Sequence, residues 1–223
     1  GGVALNCVAN GYLLRENLFK DIWIQPAAGD AGSSLGCALD VYHTYFNNPR
    51  KLREDGKPLQ RGSYWGPEWS VDEIKSFLDS ENIKHQIVDY NKRSSLIANY
   101  LNEGKVIGHF SGRTEFGPRG LGARSIIGDP RNKEMQTTIN LKIKRRESFR
   151  PFAPTVLAEE VNKYFELNRS SPYMLLISSV HEKRRLPFVR GDKEDMLETV
   201  RQPRSDIPAV THIDYSARIQ TIE

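Results

Sequence analysis

The chain has 223 residues, a net charge of +4, a pI of about 9.0, 38% apolar residues and a mean hydropathy of −0.56. That length suits one large or two small domains, and no apolar run reaches the ~18–20 residues that a membrane-spanning helix needs. Two cysteines, Cys7 and Cys37, without a C-x-x-C spacing, exclude a disulfide framework and point to a reducing, cytoplasmic setting.

In chain order, Gly1-Gly2 forms a turn and residues 4–19 read as a helix. Backbone N–H groups at such a turn approach a phosphate or nucleoside closely; the glycines serve equally to let strand and helix pack. Asp21-Ile-Trp-Ile reads as a short strand ended by Pro26, and a helix follows from about Ala31, with Asp30 near its start. Asp30 is either a helix cap or an acid on a glycine-flanked turn, suited to a metal or phosphate site. Residues 48–68 are a polar stretch rich in Lys, Arg, Gly and Pro, which places a domain boundary there.

Ser70-Val-Asp-Glu73 is a capping box opening a helix to about Ser80. Residues 82–89 read as a strand, 94–101 as a helix closed by Gly104, and 105–111 as a strand with Ile107, His109 and Ser111 on one face. A glycine-rich loop over 114–129 encloses a short strand at 125–127, then a helix spans 132–143 and a loop 145–151. A strand over 152–157 is broken by Pro154, an amphipathic helix covers 158–167, and 173–180 is an apolar strand. Residues 181–206 read as a charged, solvated excursion. Residues 209–222 alternate, with Val210, His212, Asp214, Ser216, Arg218 and Gln220 on one face, which either lines a cleft or meets solvent. The start at a Gly-Gly turn and the stop inside a strand pattern are those expected of a piece of a longer protein.

The positive charge is concentrated between residues 108 and 154. Arg119 and Arg124 sit among glycines, and Lys142, Lys144, Arg145, Arg146 and Arg150 fall within nine positions beside Phe149 and Phe152. Guanidinium groups grip oxyanions in a fork and lysine acts as a point charge, so this pattern suits a small, strongly anionic ligand. Two classes remain open on charge alone: an enzyme handling a nucleotide or acyl phosphate, and a nucleic-acid-binding module. Against the second, the cations sit in turns, and no familiar nucleic-acid signature is present.

Several stretches together resemble the O-carbamoyltransferase family of nodulation and antibiotic-tailoring enzymes. They are Gly1-Gly-Val-Ala-Leu-Asn6, Gln25-Pro-Ala-Ala-Gly-Asp-Ala-Gly32, Gly112-Arg-Thr-Glu-Phe-Gly-Pro-Arg-Gly-Leu-Gly-Ala-Arg-Ser125, Asp129-Pro-Arg131, Lys144-x-Arg146-Glu147-x-Phe-Arg-Pro-Phe-Ala-Pro154 and Thr211-His-Ile-Asp214 with Ala217-Arg-Ile-Gln-Thr221. The resemblance implies an α/β fold. Residues 1–50 would be a remnant of an actin/Hsp70-like (ASKHA) ATPase domain, 51–64 a linker, and 65–223 a YrdC-like α/β domain with a twisted mixed sheet.

It further implies that carbamoyl phosphate and ATP, with Mg, give a carbamoyl adenylate, and that the carbamoyl group passes to an acceptor hydroxyl on a sugar, antibiotic or similar small molecule. Carried over motif by motif, Lys144, Arg119, Arg150 and Arg218 are the implied catalytic residues. Arg124, Arg146 and His212 are the implied nucleotide- and carbamoyl-phosphate-binding residues. Asp30 matches the family's ligand to a divalent metal such as iron, whose histidine ligands would lie upstream of Gly1, so the isolated chain is expected to bind anions without turnover. Gly120 and Gly128 stand where the family more often has Ala, a change expected to matter little.

Overall fold

The computed structural model describes residues 1–51, 54, 61–187 and 196–223. The expected linker and the charged excursion lie partly outside these residues. The fold is mixed α/β, with two small sheets among the described residues.

Helix α1 (Cys7–Arg15) starts where Asn6 accepts hydrogen bonds from the Val8 and Ala9 amides, which makes it shorter than the 4–19 expected. Helix α2 (Asp30–Asp40) runs on into a wider π turn at Val41–Tyr45. No strand forms at residues 21–25: no neighbouring strand pairs with them, and Trp23 is largely exposed. Helix α3 (Val71–Ser80) opens on the expected capping box, with both Ser70–Glu73 bonds made. Asn82 belongs to a turn, at φ 53°, and residues 83–89 pair with no strand, so the strand expected over 82–89 is absent. Helix α4 (Tyr90–Asn102) begins a turn earlier than expected because Asp89 caps it through the Asn91 amide, and Gly104, at φ 77°, follows its end.

Strands β1 (Ile107–Phe110) and β2 (Arg124–Ile127) form an antiparallel pair, with Ile107 opposite Ile127 and Phe110 opposite Arg124. The glycine-rich loop connects them. Helix α5 (Met135–Thr138) continues as a π turn over Ile139–Ile143. Strand β3 (Thr155–Leu157) begins only after Pro154, which has no N–H to give a ladder. The expected helix at 158–167 shrinks to a 3₁₀ turn and the single turn α6 (Val161–Tyr164), because Phe165 returns to extended backbone and bridges to Val180.

Strand β4 (Leu176–Ser179), helix α7 (Met196–Arg201) and strand β5 (Ser216–Ile222) complete the order. Strand β5 is central, parallel to β3 and antiparallel to β4. It is shorter than the alternation over 209–222 implied: residues 208–210 form a 3₁₀ turn and Tyr215 takes a positive φ of 63°. The main core lies against this sheet and comprises Val161, Phe165, Leu167, Val180, Ile207, Val210, Ala217 and Ile219.

Helix α1 packs on β4. A Cβ at Gly11 would stand 2.3 Å from the Ile177 carbonyl oxygen, so only glycine permits this approach. Asn10 secures it by donating to the Leu175 carbonyl at 3.1 Å. Gly128 is also a close-packing position, since a Cβ there would meet Met135 at 2.6 Å and Ile139 at 2.9 Å. These are outer atoms of flexible side chains, so an alanine at 128 needs only a shift of Met135 and Ile139. Among the described residues, no helix is long and apolar enough to cross a membrane.

Candidate functional site

A cleft of about 1280 Å³ lies among the glycine-rich loop, the loop after α5 and the face of β5. Arg119, Arg124, Lys144, Arg146, Arg150 and Arg218 all line it, from the glycine-rich loop, the first residue of β2, the loop after α5 and β5. His212 and Asp30 do not. The sequence alternation that put His212 beside Arg218 fails because the chain turns at Tyr215. His212 instead pairs with Ser216: its amide donates to the Ser216 carbonyl at 2.8 Å, and its ring Nδ1 meets the hydroxyl at 2.9 Å. Asp30 is exposed as the first residue of α2, and the cap before it is Gly29. Among the described residues no three His, Cys, Asp or Glu side chains converge as a metal site would require.

The cleft's cations differ in what already holds them. Arg124 is engaged: its Nε donates to the Glu115 carboxylate at 3.1 Å and its Nη2 to the Glu115 carbonyl at 3.0 Å. Arg146 donates through Nε to Asn140 at 2.6 Å and lies 5.2 Å from the centre of the Phe152 ring. Arg150 pairs with Glu147 at 2.7 Å on the exposed rim. Lys144 is exposed. Arg119 and Arg218 stand apart from these: the Nε of each is buried with no hydrogen-bond partner among the described residues. Burial lowers the Arg218 pKa from its ordinary value, and the Arg119 charge lowers it further. Two half-buried guanidinium groups with unmet N–H donors form a place where an oxyanion would remove both the repulsion and the unmet donors.

The walls are tied together by polar side chains that charge patterning alone did not single out. Gln220 on β5 donates to the Leu121 carbonyl at 2.8 Å and accepts from Thr155 at 3.0 Å, joining the glycine-rich loop to β5 and β3. The Tyr64 hydroxyl donates to the same Leu121 carbonyl at 3.0 Å. His109 on β1 lines the cleft, and its Nδ1 lies 2.6 Å from the Gly122 carbonyl. A carbonyl only accepts, so Nδ1 carries the hydrogen of this bond. The period-2 pattern did place His109 on one face of its strand, which was the available signal. The glycine-rich loop also rests on the N-terminal segment: a Cβ at Gly117, where φ is 123°, would lie 3.2 Å from the Ala27 Cβ.

The sequence profile described as Carbamoyltransferase C-terminus matches residues 98–223, over half of the chain and all of the cleft's cations. The chain belongs to the carbamoyltransferase family. The profile described as Carbamoyltransferase N-terminus matches residues 1–39. Among its relatives, protein sll1178 of Synechocystis is 54% identical over the whole chain, which covers 36% of that protein. Nodulation protein NolNO of Sinorhizobium fredii is 39% identical, again over the whole chain and 30% of the relative. The 3'-hydroxymethylcephem-O-carbamoyltransferase of Amycolatopsis lactamdurans is 29% identical over the whole chain and 36% of that enzyme. The chain thus spans about a third of the length of the curated relatives it matches. Within this carbamoyltransferase sequence the cations fall on the glycine-rich loop, the start of β2, the loop after α5 and strand β5, all inside the C-terminal match.

Proposed function

We propose that the cleft holds carbamoyl phosphate and ATP and forms carbamoyl adenylate, and that the whole protein transfers the carbamoyl group to a hydroxyl of a small-molecule acceptor such as a sugar or antibiotic. The observation that carries this is the pair of unmet guanidinium donors, Arg119 and Arg218, in a cleft with Lys144 and Arg150. Carbamate is a poor electrophile because its oxygen is a poor leaving group, and adenylation corrects that. Carbamoyl phosphate gives up phosphate to water. The carbamate oxygen then bonds the α-phosphorus of ATP as the α–β bond breaks and pyrophosphate leaves. The acceptor oxygen finally bonds the carbamoyl carbon, AMP departs, and the hydroxyl proton goes to solvent or a base.

Every species before transfer is polyanionic, so the work left to the protein is positioning and neutralisation by preorganised cations. On this reading Arg119 and Arg218 grip the phosphates, and Lys144 and Arg150 neutralise charge at the open side. Arg124 and Arg146, already engaged by protein partners, shape the walls. On this reading Asp30 contributes one ligand to a divalent metal held in the whole protein, and no step of this chain's chemistry is assigned to that metal. The YrdC-like and actin/Hsp70-like assignments belong to the same proposal; the mixed three-stranded sheet and the match of residues 1–39 to the N-terminal profile are compatible with them.

Calorimetric titration of the chain with ATP and carbamoyl phosphate tests the reading. Binding of both, weakened in Lys144→Ala and Arg150→Ala, is the expected result. No binding of either, or affinities unchanged in both variants, overturns the site. In the full-length protein, pyrophosphate release that needs carbamoyl phosphate checks the reaction.

A further inference from the structure

The two cation-bearing loops are each closed by one buried polar side chain. We infer that Glu115 and Asn140 are the positioning residues of this site, each clamping one cationic loop into its binding shape before any ligand arrives. The inference rests on the functional reading above, and its test separates the two.

The Glu115 side chain is fully buried. Its Oε1 accepts from the backbone amides of Leu121 at 2.7 Å, Ala123 at 2.8 Å and Arg124 at 3.3 Å. Its Oε2 accepts from Arg124 Nε at 3.1 Å. One carboxylate therefore folds residues 115–124 into a closed loop, and Arg119 stands in the middle of it. The loop is anchored from outside as well, because the Leu121 carbonyl accepts from Tyr64 and from Gln220, two residues along β5 from Arg218. Burial works against the carboxylate's charge, yet the amide hydrogens and Arg124 outweigh it and hold the Glu115 pKa below its ordinary value. An acceptor-only group suits a ring of N–H donors.

Asn140 does the same for the second loop with the opposite polarity. It is completely buried, within the π turn after α5. Its Nδ2 donates to the Ser148 carbonyl at 3.0 Å and the Arg150 carbonyl at 2.8 Å, while its Oδ1 accepts from Arg146 Nε at 2.6 Å. Residues 140–150 are thus closed into a second loop, with Lys144 inside it and Arg150 at its end. Gln136 adds two longer bonds, to the Phe149 and Arg150 carbonyls at 3.1 and 3.2 Å. This position needs donor and acceptor together, which an amide supplies and a carboxylate does not.

Neither side chain lines the cleft, so both act through the cations they place. A cation fixed beforehand needs no rearrangement when the anion arrives, and misplacement by about an ångström is enough to lose most of its effect. The opposite polarities make near-isosteric substitutions informative. Glu115→Gln keeps the shape and one oxygen for the amides but turns an N–H toward Arg124. Asn140→Asp keeps the acceptor for Arg146 but loses both donors to the loop carbonyls.

The full 223-residue chain is titrated with ATP and with carbamoyl phosphate, and its backbone amides are followed by hydrogen exchange. In variants that remain folded by near-UV circular dichroism, each substitution is expected to weaken binding about tenfold or more. Exchange is expected to quicken only in the loop that has lost its clamp, and saturating ligand to restore protection there, which a generally weakened fold would not show. Folded variants binding within about twofold of the parent overturn the inference. Where a variant does not fold, the unsubstituted chain decides: Leu121 and Ala123 amides protected without ligand support a preset loop, and exchange at the rate of open chain refutes it. If the unsubstituted chain binds neither probe, the adenylate reading falls, while the ligand-free exchange result still decides the clamps.

Discussion

Arg119 and Arg218 face a common cleft with the Nε of each buried and unpartnered among the described residues, and burial, followed by the charge of Arg119, lowers the proton affinity of Arg218. This arrangement opposes folding in the absence of an anion. Arg218→Met, which keeps the aliphatic stem and removes the unmet donor, is expected to stabilise the ligand-free chain by about 1 kcal/mol. It is also expected to lose the rise in melting temperature that pyrophosphate or ATP gives the parent by mass action. Scanning calorimetry with and without pyrophosphate measures both. A destabilised variant that keeps the full anion shift would show that Arg218 packs rather than binds.

Gly11 sits in the middle of α1, where alanine ordinarily improves a helix by about 0.5–1 kcal/mol. Here the Cβ would stand 2.3 Å from the Ile177 carbonyl oxygen, a backbone atom that cannot swing aside. The collision should win, so Gly11→Ala is expected to cost about 1–3 kcal/mol in urea unfolding. A stabilised variant would mean that α1 does not press on β4 as described.

What was legible in the sequence was mostly local. The Ser70–Glu73 capping box reads directly, because both of its hydrogen bonds lie within four residues. The short strand at 125–127 and the cations of two loops read almost as well, the latter because charge clusters in sequence before it clusters in space. Pairing was not legible. Residues 82–89 carry strand-like apolar positions, yet Ile83 and Ile87 are exposed and no strand lies beside them. Alternation over 209–215 was a coincidence of composition, undone by a 3₁₀ turn and the positive φ at Tyr215. Glu115, Asn140 and Arg204 read as ordinary polar residues of a loop, a helix and a charged run, because their partners are backbone groups that only the fold brings near.

Acid sensitivity should begin at His212. Burial, foremost, and then Arg218 and Arg204 lower its pKa from 6.5, with Asp214 opposing. The unfolded chain therefore binds the extra proton first, and stability is lost as pH falls from about 6.5 through the lowered folded value. Glu115 and Asp129 also have lowered pKa values: burial opposes the shift at Glu115, where amide hydrogens and Arg124 prevail, and the bond from Arg131 leads at Asp129. Their contribution is lost only at lower pH, below the ordinary values of 4.5 and 3.8. Unfolding free energies measured across pH should thus fall in two steps, and His212→Asn should flatten the upper one. A parent curve already flat below pH 6.5 would show that His212 is not held neutral.

Arg204 is buried at 3% exposure, and its guanidinium donates to the carbonyls of Thr199, Val200, Gln202, Thr211 and His212 at 2.9–3.2 Å. A planar fork reaches these oxygens from one centre; a lysine ammonium, with three donors on a single nitrogen, does not. Arg204→Lys keeps the charge and most of the volume, so its cost isolates the fork. Each buried carbonyl left without a donor costs about 1 kcal/mol or more, giving an expected loss of about 2–4 kcal/mol in urea unfolding, with faster hydrogen exchange between Thr199 and His212. A loss below about 1 kcal/mol would mean that water or the lysine replaces the fork. The segment leading into β5, and with it the placement of Arg218, would then be held mainly by the apolar contacts of Ile207 and Val210.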